Sequence, residues 1–265
     1  MKKISLTILL LSLLTVTNAQ EFWLQPDNFF CKRGEKLVVS FKEGENFMGD
    51  AWDFKKHSIA IFNLHHASTS MNLADSIKDG DKGNLSYTLK EEGTHLLVMK
   101  TNNVFNEMGA DNFNAYLKEA GLDDIMDHRQ KTNTVGLPGK ENYAIHVKLF
   151  IQVGENKDDT YKTVIGSPVE IVPQKNPYAL QIGDPVRFKI LFDGKPVFGV
   201  RVKVWNRFDN RTTIQNIYTE QDGTFEARIS NPGPWMVSVV RMVPSKQAGA
   251  DWQSYKGSLV FGIQK

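Results

Sequence analysis

The sequence predicts a mainly β protein: two immunoglobulin-like or carboxypeptidase-regulatory-like β-sandwich domains, the first carrying a short helical insertion. Three observations point there. Apolar and polar residues alternate with period two along most of the chain after Gln20. Asp-Gly and Pro-Gly pairs punctuate that alternation at the spacing of short strands. A single stretch, about residues 111–129, switches to helical spacing.

Lys36 to Phe41, Ser58 to Leu64 and Thr94 to Lys100 read as strands. The longest runs from Tyr143 to Val153. It places Ile145, Val147, Leu149, Ile151 and Val153 with Tyr143 on one face, and His146, Lys148 and Gln152 on the other. Lys148 implies that this second face is loosely covered or open to solvent. The helix has Asp111 as its N-cap and Phe113, Tyr116, Leu117 and Ala120 on its apolar side. Gly121 suits a left-handed C-terminal cap, with Leu122 folding back on the helix. A second helical turn follows from Asp123 to Arg129, and the glycine- and proline-bearing stretch Gln130 to Glu141 reads as a loop.

In the second half, Val186, Phe188, Ile190 and Phe192 alternate up to the turn Asp193-Gly194, and Val200, Val202 and Val204 alternate after it. Asp222-Gly223 turns the chain between Ile217 and Phe225, so Asp222 reads as turn chemistry and not as a calcium ligand. Pro232-Gly233-Pro234 precedes a strand beginning at Trp235. The polar, proline-bounded segment Gln174 to Pro177 reads as a linker. The domains are then residues 20–172 and 173–265.

Residues 1–19 read as a signal peptide. Lys2 and Lys3 are followed by an apolar run from Ile4 to Val16 and small residues up to Ala19, so the chain is expected to be cleaved near Ala19 and to be periplasmic or secreted. The run falls short of the roughly 20 apolar residues a membrane helix needs, and no later stretch reaches that length, so no transmembrane segment is expected in the mature chain. Lysine plus arginine number 32 against 30 aspartate plus glutamate, and removing Lys2 and Lys3 balances them. That leaves no basic footprint for nucleic acid. The single cysteine, Cys31, follows Phe29 and Phe30 and reads as a buried hydrophobe.

No nucleophile elbow, phosphate loop, zincin helix or Cys-x-x-Cys occurs, and the acidic pairs fall in loops and helix starts. No catalytic residue is therefore assigned, and the chain is read as a non-enzymatic binding or accessory protein. Its one group of candidate metal ligands is His57, His65, His66 and His95, imidazoles that suit nickel, cobalt, copper or zinc where they converge. The competing reading is that His65 and His66 cap a hairpin and His95 fills a half-buried strand position. Tryptophan offers a rival surface for glycans or partner proteins, with Trp205, after the alternating valines, the best candidate for exposure.

Several segments together resemble a family of exported bacterial proteins of unknown function. They are Glu21-Phe22-Trp23-Leu24-Gln25-Pro26, Gly44-Glu45-Asn46-Phe47, the stretch Phe113 to Leu122, the stretch Pro168 to Leu180, Met242-Val243-Pro244, and Ala250-Asp251-Trp252-Gln253. Members are often labelled the periplasmic component of a cobalt or nickel uptake system. The resemblance implies nickel or cobalt as ligand, a metal-uptake membrane complex or another envelope component as partner, and Asp251 and Trp252 as binding positions. It also implies interest in Glu21, Glu45 and Asn46. Relatives place histidine directly after the signal peptide and before Met-Val-Pro, where this chain has Gln20 and Arg241.

Overall fold

The computed structural model describes residues 20–78 and 84–264. The expected signal peptide lies outside them. In chain order the strands and helices are β1 (Glu21–Pro26), β2 (Phe30–Cys31), β3 (Lys36–Glu45), β4 (Met48–Ala51), β5 (Ile59–His66), β6 (Thr69–Asn72), β7 (Leu85–Thr88), β8 (Gly93–Thr101) and β9 (Val104–Met108). The helical insertion is α1 (Ala110–Ala120) and α2 (Asp123–Lys131). Then come β10 (Gly139–Val153), β11 (Val169–Pro173), β12 (Pro185–Phe192), β13 (Lys195–Pro196), β14 (Arg201–Phe208), β15 (Arg211–Tyr218), β16 (Thr224–Arg228), β17 (Gly233–Pro244) and β18 (Trp252–Ile263). The protein is mainly β, with a short helical insertion.

Its backbone is one large sheet ordered β15-β14-β17-β18-β10-β8-β5-β6, with β2 and β9 also hydrogen-bonded to β10. A smaller sheet, β1-β3-β4 with β7 on β3, covers one face, and another, β11-β12-β13 with β16 on β12, covers the other. The alternation along β10 shows how. Ile145, Val147, Leu149, Ile151 and Val153 enter a core shared with Leu24, Val39 and Phe41 of the first small sheet. Phe150, on the opposite face, enters a core shared with Ile171, Phe188 and Phe225 of the second.

The expectation that one face of β10 is open is therefore corrected: both faces are covered. Lys148 is buried, and its Nζ donates to Glu170 Oε2 of β11 at 2.7 Å. Glu170 also accepts the Ile165 and Ser167 N–H groups. The ammonium and these bonds hold its carboxyl below the ordinary range against the opposing effect of burial.

The two sequence halves share the large sheet, because β10 runs parallel to β18 from Glu141 beside Trp252 to Leu149 beside Val260. β11, which straddles the expected boundary at residue 172, pairs with β12 beyond it. Turn chemistry follows the sequence closely. Asp193 and Gly194 both have positive φ and join β12 to β13 as a two-residue hairpin. Asp222 Oδ1 accepts from the Thr224 N–H, as a turn residue should, although the strands on its two sides join different sheets.

The helix begins two residues earlier than expected, with Gly109 as N-cap and Asp111 in the first turn. Gly121 ends it in the left-handed conformation, and the Leu122 N–H returns to the Leu117 carbonyl. Gly139 to Glu141, expected as loop, are the first residues of β10. A Cβ on Gly139 would lie 2.2 Å from the Phe113 ring, so glycine lets α1 pack directly on that strand.

Candidate functional site

The structure separates the predicted histidines. His57 is exposed in the turn Lys56–Ser58, and its carbonyl accepts from Asn102 at the start of the β5–β8 pairing. His65 and His66 lie at the other end, opposite Leu96 and His95. Seven residues of strand place the two ends roughly 23 Å apart.

His66 and His95 stack, with ring centroids 4.4 Å apart and planes 12° from parallel. Each Nε2 donates to a backbone carbonyl at 2.9 Å, His66 to Glu92 and His95 to Glu91. That leaves Nδ1 as the ligating atom on each ring. A first-row metal sits in the plane of an imidazole about 2.0–2.1 Å from its nitrogen. Two nearly parallel planes this far apart share no such point. Among the described residues no three histidine, cysteine, aspartate or glutamate side chains are grouped to hold a metal. This donor set does not fit a nickel or cobalt centre. It caps the turn that leads into β8, and burial lowers the basicity of His95 and His65.

The tryptophan expectation is corrected too. Trp205 is buried at 4% exposure, in the core under the first small sheet, and its Nε1 donates to Ser238 Oγ at 3.0 Å. The sequence reading failed because it took the Arg201 and Lys203 side of β14 for a solvent face. Trp252 is also buried, packed beneath the helical insertion. Asp251 is exposed and holds strand ends together: its N–H donates to the Lys140 carbonyl, and its own carbonyl accepts from Ser245.

The feature with the chemistry of a site lies elsewhere. A cavity of about 620 Å³ opens where β1, β9 and α1 meet the starts of β10 and β18. The parallel register sets Tyr143 beside Ser254 and Ile145 beside Lys256. Alternation then turns Glu141, Tyr143, Ser254 and Lys256 to one face. Helix α1 supplies Tyr116 from the side that also buries Phe113 and Leu117. Gln20, just before β1, Glu45 at the end of β3 and the exposed Phe105 from β9 complete the rim.

Three polar atoms on this wall, on Lys256, Glu141 and Tyr116, lack a hydrogen-bond partner. The Lys256 ammonium lies 4.6 Å from the Tyr143 ring centroid, 5.3 Å from that of Tyr116 and 5.6 Å from that of Phe22. It makes no ion pair or hydrogen bond among the described residues. Burial lowers its pKa, while Glu141, Glu21 and Glu43 favour the charged form. Glu141 is fully buried; Oε2 accepts from Ser254 Oγ at 2.6 Å, and Oε1 has no partner. The Tyr116 hydroxyl is buried beside Glu141 and Ser254 but makes no hydrogen bond of good geometry; burial first, then the Glu141 charge, raises its pKa well above the ordinary value. Beneath the rim, Glu21 faces Lys203 at 3.5 Å, and burial raises its pKa.

Sequence reasoning missed Lys256, Glu141 and Tyr116 as candidate residues. Parity was a partial signal: it puts Glu141 on the Tyr143 face of the long strand, but nothing local sets Lys256 beside them.

A family model matches residues 17–242 of the chain, which span both halves of the fold and the cavity wall up to β17. The chain belongs to the family described as a domain of unknown function, DUF4198. Among curated proteins, nothing matches. Among solved structures, this DUF4198 protein is similar to the three N-terminal domains of the bacteriophage RB49 highly immunogenic outer capsid protein (Hoc). They share 6% identity and a TM-score of 0.20, over 93% of this chain and 71% of that one. A score that low carries no argument. Of the positions that drew attention in the sequence of this DUF4198 chain, Gln20 and Glu45 line the cavity. Asn46 has positive φ in the β3–β4 hairpin and is a turn residue. No helix among the described residues is long and apolar enough to cross a membrane.

Proposed function

We propose that this chain is an exported, non-enzymatic binding or accessory protein of the cell envelope, and that it holds a small polar ligand in the cavity between α1 and the starts of β10 and β18. One observation carries the reading. An ammonium, a carboxylate oxygen and a phenol, on Lys256, Glu141 and Tyr116, line a single cavity and have no hydrogen-bond partners. Buried polar groups are ordinarily paired, and those left unpaired in a folded protein call for a reason. A ligand that pairs with them supplies one.

The cobalt or nickel form of the reading draws on the family resemblance, with a metal-uptake complex as partner. The histidine geometry gives it no support. The alternative, a module that binds an envelope glycan or protein without metal, agrees better with a cavity rimmed by Phe105, Asn106 and Asn112. Trp52 reports on the cavity, because its ring packs 5.1 Å from Phe22, which lines it. The test is a titration of the purified protein with nickel and cobalt salts, oligosaccharides, sugar acids, amino acids and short peptides. Trp52 emission and calorimetry would be followed together, in the wild type and in Lys256→Met. A saturable response to one class that Lys256→Met abolishes is expected. Full indifference to every class would overturn the reading.

A further inference from the structure

Resting on the binding reading above, we infer that the cavity takes a small zwitterion, an amino acid or short peptide, with its carboxylate on Lys256 and Tyr116 and its amine on Glu141. The argument is one of matching donors, acceptors and charge. Lys256 and Tyr116 offer two donors, one of them cationic; Glu141 Oε1 offers one anionic acceptor, and Glu141 is itself completely buried. Glu141 exerts the largest favourable charge effect on Lys256, yet the two form no ion pair. Both belong to the lining of the one cavity without pairing, so a molecule with adjacent opposite charges bound there can meet both. A carboxylate on Lys256 and Tyr116 makes charge-assisted bonds, the stronger kind.

Other classes match less of the wall. A metal cation would meet the Lys256 charge at the same surface. Sulfate would pair with Lys256 but would bring no donor to Glu141; phosphate would bring a hydroxyl but no positive charge, and either anion would face Glu45 and Glu107 at the rim. A neutral sugar satisfies the hydrogen bonds but leaves both buried charges without a counter-charge. The aromatic walls, Phe22, Tyr116 and Tyr143, hold the ammonium of Lys256 and so fix the position of the donor.

The experiment uses L-alanine and L-alanyl-L-alanine as probes. N-acetyl-L-alanine lacks the amine, L-alanine methyl ester lacks the carboxylate, and D-glucuronate replaces the amine by hydroxyls. Calorimetry and Trp52 emission are read for wild type, Lys256→Met, Glu141→Gln and Tyr116→Phe. Circular dichroism confirms that each variant is folded, and Tyr116→Phe keeps the test sound where a charge change upsets folding. The expected result is that the dipeptide binds and that blocking either end weakens it at least tenfold. Lys256→Met weakens it similarly, and Tyr116→Phe weakens it by a smaller factor. Glu141→Gln should remove most of the discrimination against the N-acetyl compound, because the amine then has no carboxylate to meet. Binding of glucuronate or a neutral sugar in preference to both zwitterions, with Lys256 still required, would overturn the ligand class and leave the cavity reading standing. Binding that is blind to Lys256→Met, Glu141→Gln and Tyr116→Phe alike would overturn both.

Discussion

His146 should make the fold acid-labile in a narrow window. Its side chain lies between the large sheet and the second small sheet, 8% exposed, with neither ring nitrogen hydrogen-bonded. Burial first, and then the Lys100 and Lys148 ammonium groups, push its pKa from 6.5 down to about 4, against the opposing pull of Glu170. The unfolded chain therefore binds a proton between those two values that the folded chain refuses. Stability from this site is complete above pH 6.5, falls as the pH drops toward 4, and changes no further below that. A shift of this size corresponds to roughly 3 kcal/mol lost between pH 7 and pH 4. His146→Leu removes both the titration and two unpaired buried nitrogens. It should match or exceed wild type at pH 7, and its stability should fall about 3 kcal/mol less on acidification. Urea unfolding followed by circular dichroism across pH 4–7.5 measures the difference curve, and an NMR titration of the ring gives the folded midpoint directly. Parallel acid limbs for the two proteins, or a folded midpoint near 6.5, would refute the reasoning.

Two more outcomes follow from burial elsewhere. Lys148→Met leaves the Glu170 carboxylate without its ammonium, and removing one partner of a buried pair costs about 3–5 kcal/mol. Urea midpoints should show that loss, and adding Glu170→Gln should recover part of it, with Gln still able to accept from the backbone. Cys31 is buried, and burial with Glu35 and Asp27 nearby pushes its thiol up to about 12. It should ignore a thiol-reactive disulfide reagent at pH 8 until denaturant is added; prompt labelling of native protein would contradict that placement.

Much of the fold was legible because strands announce themselves by parity and turns by residues that tolerate positive φ. Asp193-Gly194 and the Gly121 cap were both readable that way. What failed was the inference from one strand to its surroundings. Lys148 looked like a solvent-face residue because sequence shows a charge but not the partner that buries it. Glu170, twenty-two positions on, supplies the counter-charge only after β11 has crossed to the second small sheet. Trp205 failed for the same reason, since nothing local reveals that β14 continues a sheet covered from the N-terminal half. The cavity was hardest to read. Its floor combines β10 and β18, more than a hundred residues apart, and their parallel register is invisible to any local pattern.

That register also dictates the order in which the molecule can be finished. β18 leaves the ribosome more than a hundred residues after β10, yet it sits beside β10 in the middle of the large sheet, and its Ser258 hydroxyl donates to the carbonyl of Phe22 in β1. Closing so long a loop carries an entropy cost that only the completed pairing offsets. A nascent chain ending after Pro173 has β10 with a bare edge and an unfinished interior, and is expected to bind chaperones or associate with its own kind. The two halves that look separable along the sequence should therefore mature together, in a single event that waits for β18.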